Sequence, residues 1–141
     1  MGNVMRMEFS ALAENEAFAR SAAAAFVMPA DPTIEELTEI KTAVSEAVSN
    51  CVIHSGSESV AMECALEKSG RLTIKIEDRG VGIEDVDKAM EPLFTTGDEE
   101  ERSGMGFTVM ESFMDKLRVK SEIGKGTTVI MIKYLDVPGD I

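Results

Sequence analysis

Glu46-Ala47-Val48-Ser49-Asn50, Asp78-Arg79-Gly80-Val81-Gly82-Ile83 and Ser103-Gly104-Met105-Gly106-Phe107 are the three stretches whose order and spacing decide how this chain folds. The first sits on a helix. Thr33 followed by Glu36 reads as a capping box. Leu37, Ile40, Val44, Ala47, Val48 and Cys51 then recur at three- and four-residue spacing as far as about His54, which marks one buried face. The second stretch follows an alternating run, Leu72 to Ile76, that reads as a strand, so Asp78 is expected just past the strand end. The third opens a helix over Phe107 to Phe113.

The remaining elements follow outward from these. Residues 4–9 alternate as a short strand. Asn15 to Met28 is helical by composition and is stopped by Pro29, Asp31 and Pro32. Ser55-Gly56-Ser57 ends the long helix. Val60 to Leu66 pairs with Leu72 to Ile76 through the turn Lys68-Ser69-Gly70-Arg71, and Leu117 to Ser121 pairs with Thr127 to Tyr134 around Gly124-Lys125-Gly126. Asp85 to Met90 reads as a short helix, and Phe94 to Arg102 as a mobile loop. The expected fold is an α/β (α+β) two-layer sandwich, a mixed and mainly antiparallel sheet with helices on one face. At 141 residues the chain suffices for one domain with a real core and not for two ordinary ones, so residues 1–141 are read as a single domain.

Composition narrows the function. Hydrophobic residues at 44% and charged residues at 28% are ordinary globular values. The formal net charge of −12 repels DNA, RNA and anionic lipid, so no direct nucleic-acid partner is expected. Met1 to Arg6 has no basic start leading into an apolar run, and no stretch of 18 apolar residues is present. The expectation is a cytoplasmic protein without a membrane span. Cys51 and Cys64 are too few for a disulfide framework or a metal cluster and lie in apolar patterns, so they are read as reduced core thiols.

Each of the three stretches also fits a plainer arrangement when taken alone. Glu46 and Asn50 stand one helical turn apart on one face, as an exposed polar stripe would. As chemistry, Glu46 offers a general base and Asn50 a hard oxygen for Mg²⁺. Asp78 with Gly80 and Gly82 is common in ordinary turns, but a carboxylate there accepts a hydrogen bond from an exocyclic amine such as that of adenine. The glycines let the backbone turn sharply and approach a ligand. Gly104 and Gly106 precede a helix whose N–H groups suit phosphate, with Arg102 as the nearest obvious cation. The Gly-Lys-[Ser/Thr] phosphate loop, the dinucleotide fingerprint and the protein-kinase set are absent. In this order the three stretches describe a pocket for a nucleoside triphosphate.

Together they resemble the superfamily of gyrase, heat-shock, histidine-kinase and mismatch-repair (GHKL) ATPases, with Thr127 in Gly126-Thr127-Thr128 matching the late Gly-Thr element that supports the adenine-binding Asp. The resemblance implies a Bergerat-type ATP-binding fold. Within the superfamily, Phe9-Ser10-Ala11-Leu12, Asp31-Pro32-Thr33, Glu36 to Thr42, Pro92-Leu93-Phe94-Thr95-Thr96 and Glu101 to Thr108 are similar to the sporulation anti-sigma F factor family, stage II sporulation protein AB. The similarity runs from about Met5 to Tyr134.

That family resemblance implies a cytoplasmic homodimer that restrains a sigma F-like sigma factor. It also implies a protein serine kinase that uses ATP and Mg²⁺ to phosphorylate an anti-anti-sigma (STAS-type) protein, ADP being left. By the same resemblance Glu46 is catalytic, Asn50 holds metal and Arg20 contacts protein partners. Asn50, Asp78, Gly80, Gly82, Thr95, Thr96, Arg102, Ser103, Gly104, Met105, Gly106 and Thr127 bind nucleotide. Two departures stand out: the segment between His54 and Val60 is about three residues short, and Gly97 occupies a place where a lysine is expected. The second motivates an alternative, a nucleotide-dependent sigma clamp with weak or no kinase activity. A stress-response anti-sigma kinase of the same family is a sibling reading. A histidine-kinase fragment is disfavoured, because the only histidine, His54, ends the Glu/Asn helix.

Overall fold

The computed structural model describes residues 2–90 and 106–136. Strand β1 (Asn3–Ser10) leads into helix α1 (Glu14–Val27), a 3₁₀ turn (Met28–Ala30) and helix α2 (Ile34–Asn50), which runs on as a π-helical turn (Cys51–Ser55). Strands β2 (Ser59–Leu66) and β3 (Arg71–Asp78) follow, then the one-turn helix α3 (Val86–Ala89), helix α4 (Gly106–Phe113), and strands β4 (Lys116–Glu122) and β5 (Gly126–Tyr134).

The five strands form one sheet in the order β1-β2-β3-β5-β4. All four pairings are antiparallel, so the sheet is not mixed in its hydrogen-bonded neighbours. β3 and β4 run the same way but are separated by β5. Two strands so oriented need a crossover rather than a hairpin, and this one spans the sequence between Asp78 and Lys116.

Period-two alternation decides what the helical layer meets. Leu72, Ile74 and Ile76 of β3 are buried with Val129 and Met131 of β5 and Val60, Met62 and Cys64 of β2. Asp78 continues the same alternation. The sequence reading placed it just past the strand; it is instead the last residue of β3, paired with Val60 and Thr127 and only 5% exposed. Burying a carboxylate there is tolerable only if it is hydrogen-bonded.

α2 covers this face with Ile40, Ala43, Val44, Ala47, Val48 and Cys51. Its start is the expected capping box: Thr33 Oγ1 accepts from Glu36 N–H at 3.0 Å, and Glu36 Oε1 accepts from Thr33 N–H at 2.8 Å. α1 presents Ala19, Ala23 and Val27, all fully buried, whose small side chains at four-residue spacing suit its close packing on α2. Lys133 near the end of β5 is also buried. Its Nζ donates to Glu39 Oε1 of α2 and to Phe113 O in the last turn of α4, both at 2.8 Å. A charge in such a place is acceptable because it is paired and caps carbonyls that the helix leaves open.

Candidate functional site

A cavity of about 990 Å³ opens between the C-terminal end of α2, the end of β3, the loop after it and the start of α4. It lies at the upper end of the range for small-molecule sites, about 300–1,000 Å³. Asn50, Asp78, Gly82, Gly106 and Thr127, five residues named from the sequence, line it together.

The Asp78 carboxylate is held by its own turn and by the neighbouring strand. Gly80 N–H donates to Asp78 Oδ1 at 2.9 Å, and Thr127 N–H donates to the same oxygen at 3.3 Å. A carboxylate offers about four acceptor sites, so capacity remains for a donor from the cavity. Thr127 is itself fixed. Its Oγ1 lies 2.8 Å from Ser121 Oγ on β4, and Ser121 Oγ also accepts from Ile83 N–H at 2.7 Å. Ser121 therefore ties the glycine turn to β5. It was not singled out in the sequence, where only its place in an alternating strand across from Thr127 could have marked it.

The two turn glycines are required, for a reason other than ligand approach. A Cβ on Gly80 would lie 2.0 Å from Ser55 O, and one on Gly82, whose φ is +80°, would lie 2.4 Å from Glu122 O. Both neighbours are protein backbone. Gly80 is thus a packing position, where the turn presses on the end of the π-helical turn and Val81 N–H donates to Ser55 O at 2.7 Å. Gly82 meets the β4–β5 hairpin, where Gly124 N–H donates to Val81 O at 2.9 Å. The short segment after His54 closes through serines. Ser55 Oγ donates to Cys51 O at 2.7 Å, Ser57 Oγ accepts from Arg79 N–H at 3.1 Å, and Gly56 takes φ +74°.

Ala47, Val81, Ile83, Phe107, Ile123 and Val129 give the cavity apolar walls. Its charge is mostly negative: Asp78, Glu84, Asp85 and Asp87 line it, and Lys88 is the one Lys or Arg among its described lining residues. A polyanion there requires main-chain amides and a counter-cation. The first N–H groups of α4, which starts at Gly106, supply part of that requirement. Asn50 supplies a hard oxygen at the wall. Among the described residues no cluster of three or more His, Cys, Asp or Glu is arranged to hold a metal. An amide oxygen such as that of Asn50 is the kind of ligand that Mg²⁺ takes together with waters and phosphate oxygens.

Glu46 lies one turn before Asn50, half-buried, and among the described residues is not part of the cavity lining. Arg20 of α1 donates from Nη1 to Ser45 Oγ at 2.9 Å, next to Glu46 and away from the cavity lining. Thr95, Thr96, Arg102, Ser103, Gly104 and Met105, with Gly97 and the expected mobile loop, lie outside the described residues. Cys51 and Cys64 are both free and buried, as expected. Burial pushes the Cys64 thiol up to about 12, with Glu63 adding to the shift. No described helix is long and apolar enough to cross a membrane.

The chain matches the family model for the histidine kinase-like ATPase domain over residues 9–133. An anti-sigma F factor of Caldanaerobacter subterraneus subsp. tengcongensis is 54% identical over 135 residues, covering 94% of each chain. One from Clostridium perfringens is 54% identical over 140 residues, covering 96% of this chain and 99% of the relative. Among solved structures, the RsbU and RsbW domains of a Mycobacterium tuberculosis protein superpose with a TM-score of 0.70 at 18% identity, over 96% of this chain and 33% of that one. The catalytic domain of histidine kinase ThkA gives 0.54 at 15% identity, over 93% and 96%. At those identities the structural likeness bears on fold alone.

Proposed function

Since this chain belongs to the anti-sigma F factors, within the histidine kinase-like ATPase family, we propose that it binds a sigma F-like sigma factor and uses ATP to phosphorylate a serine of an anti-anti-sigma protein. The observation that carries the nucleotide part is the convergence on one cavity of Asn50, the doubly hydrogen-bonded Asp78, Thr127 and the start of α4. Asp78 accepts a hydrogen bond from the exocyclic amino group of adenine. The apolar walls receive the base, and amides at the start of α4, with Arg102, Ser103, Gly104 and Met105 before it, receive the phosphates. Thr95 and Thr96 join the phosphate end, and Gly80 and Gly82 hold the base turn in place. Mg²⁺ held through Asn50 would neutralise phosphate charge.

Glu46 takes the proton of the substrate serine hydroxyl as its oxygen bonds to the terminal phosphorus of ATP, and the bond from that phosphorus to the β-phosphate oxygen breaks to release ADP. The partner presents that serine from the side of α2 where Arg20 stands, beside Ser45. Most of the catalytic effect in such a transfer comes from positioning and electrostatic stabilisation, not from covalent chemistry on the protein. A cytoplasmic homodimer completes the reading.

Incubation with γ-labelled ATP, Mg²⁺ and an anti-anti-sigma protein tests it. Label is expected on serine, and Glu46→Ala is expected to slow transfer about 10²–10⁴-fold, the usual share of a general base. Transfer at an unchanged rate in Glu46→Ala removes that residue as the base.

A second reading is motivated by Gly97, which stands where the family resemblance expects a lysine: a nucleotide-dependent sigma clamp with little kinase activity. Sigma binding that responds to ATP and ADP, without label transfer, would select the clamp.

A further inference from the structure

Ser121 of β4 stands directly across from Thr127 of β5, and its hydroxyl meets three groups at once. Ile83 N–H donates to Ser121 Oγ at 2.7 Å, Ser121 Oγ donates to Gly126 O at 3.1 Å, and Thr127 Oγ1 lies 2.8 Å away. A serine hydroxyl has one proton and two acceptor lone pairs. The three contacts use all of that capacity, and they can do so in only one way. An amide N–H only donates and a carbonyl oxygen only accepts, so the Ser121 proton belongs to Gly126 O. The proton between the two hydroxyls therefore comes from Thr127. If Ser121 donated to Thr127 instead, Ser121 Oγ and Gly126 O would face each other as two acceptors with no proton between them, and one contact would be lost.

This direction matters in the cavity. Thr127 lines it with Asp78 and is 9% exposed. With its proton turned back to β4, the Thr127 hydroxyl offers the cavity lone pairs and no donor. The Asp78 carboxylate also offers only lone pairs, and its Oδ1 is fixed by Gly80 N–H and Thr127 N–H. This corner of the cavity is thus made of acceptors. An amino group enters it with protons to give. A carbonyl oxygen brought to the same place gives up its water and finds no donor in exchange.

We propose that Ser121 is a positioning residue for base selection: by holding the Thr127 hydroxyl as an acceptor, it excludes 6-oxopurines from the corner that admits a 6-aminopurine. This rests on the nucleotide reading above. It goes beyond Ser121 as a tie between the glycine turn and β5, because a tie serves every nucleotide alike. Released from Ser121, the Thr127 hydroxyl turns and donates. A 6-oxopurine carries a ring N–H beside its carbonyl, so it then gives the N–H to Asp78 and receives the Thr127 proton on its oxygen.

The experiment is calorimetric titration of the full-length chain with ATP and with ITP, its 6-oxo counterpart, both with Mg²⁺. Wild type, Ser121→Ala, Ser121→Thr, Thr127→Val, the double variant Ser121→Ala with Thr127→Val, and Asp78→Asn are compared, with a melting curve for each. Wild type is expected to prefer ATP. Ser121→Ala is expected to narrow that preference about 3–10-fold, the share of one hydrogen bond gained by the oxo group. Ser121→Thr keeps a hydroxyl and is expected to hold the wild-type preference. Adding Ser121→Ala to Thr127→Val is expected to leave the preference of Thr127→Val unchanged, since no hydroxyl remains to turn. Ser121→Cys, similar in size and a weak hydrogen-bonding group, repeats the comparison if alanine leaves the fold too weak.

Equal losses for both nucleotides in Ser121→Ala, or the same narrowing with Thr127→Val present, overturn the role of Ser121. A different result strikes the premise itself: wild type that binds ATP and ITP equally, with Asp78→Asn indistinguishable from it, overturns Asp78 as the amino-group acceptor.

Discussion

Gly80→Ala tests whether the contact between the glycine turn and the end of the π-helical turn is what holds Asp78. A Cβ at that position would lie 2.0 Å from Ser55 O and 2.5 Å from Ser55 C, where real contacts stay beyond 3.0 Å. One backbone or the other must retreat by about an ångström, since neither neighbour is the movable end of a side chain. That retreat strains two hydrogen bonds, Val81 N–H to Ser55 O at 2.7 Å and Gly80 N–H to Asp78 Oδ1 at 2.9 Å. Weakening them at about 0.5–1.5 kcal/mol each, with overpacking on top, gives a loss of about 2–4 kcal/mol. For a domain of this size that is a fall in Tm of roughly 6–14 °C.

Gly124→Ala is the internal control. Gly124 has φ +82° but no atom within 4 Å of its would-be Cβ, so only the left-handed backbone term remains, about 1–2 kcal/mol. The assays are a thermal melt and an ATP titration on both variants. Gly80→Ala is expected to melt below Gly124→Ala and to bind ATP about tenfold more weakly, because the hydrogen bond it disturbs is to a charged acceptor. Gly124→Ala is expected to bind as wild type. If the two variants melt together and both keep full affinity, the turn is not held at Ser55 and the account of Asp78 fails.

Three further expectations concern the scaffold. Thr33→Ala removes the α2 cap and is expected to cost about 1 kcal/mol in urea unfolding with no change in nucleotide affinity; a loss of affinity would mean that the start of α2 reaches the site. Lys133→Ala leaves Glu39 unpaired and uncaps Phe113 O, for an expected loss of about 2–4 kcal/mol, whereas Lys133→Met with Glu39→Leu recovers most of it; a double variant as unstable as the single refutes this. Because the folded-state pKa of Cys64 is raised from 9.0 to about 12, its contribution to stability is complete below pH 9 and is lost as the unfolded thiol ionises above it, at about 1.4 kcal/mol per pH unit. Urea unfolding of wild type and Cys64→Val at pH 8 to 10.5 should therefore show the stability difference drifting against wild type, and parallel curves would exclude it.

The elements were legible where local pattern and tertiary demand agree. The Thr33–Glu36 box, the α2 face, both hairpins and the short helix after Asp85 stand close to where periodicity and turn residues put them. The mainly antiparallel sheet expected from the hairpins is present, and its described pairings are all antiparallel; a strand's own pattern does not record the direction of its neighbour. Asp78 was put just past β3 because an acid ends an apolar alternation. Its carboxylate instead continues that alternation onto the buried face, where two main-chain donors await it. Gly80 and Gly82 were correctly marked as positions that exclude a Cβ, but the atoms they make room for are Ser55 O and Glu122 O. Those contacts join residues 25 and 40 apart, beyond the reach of any local signal. Ser121 escapes a local reading for the same reason: it is one polar residue in a strand until Thr127 is placed beside it.

The bonds that shape the site are also bonds that close the fold. Asp78 is held from its own turn by Gly80 N–H and from β5 by Thr127 N–H. Ser121 and Ser55 then extend these links to β4 and to the end of the π-helical turn. A ligand amino group that donated to Asp78 would tighten a carboxylate to which turn and sheet are already attached. Binding to the folded form alone stabilises it by RT ln(1 + [L]/Kd), about 2.7 kcal/mol at a hundredfold excess over Kd. The cost of Gly80→Ala is of the same size. Saturating ATP should therefore lift the Tm of Gly80→Ala by less than that of wild type at equal nucleotide, since the same strain lowers both stability and affinity. An equal lift would mean that base recognition and closure of the fold are separable, and that Asp78 is not their common point.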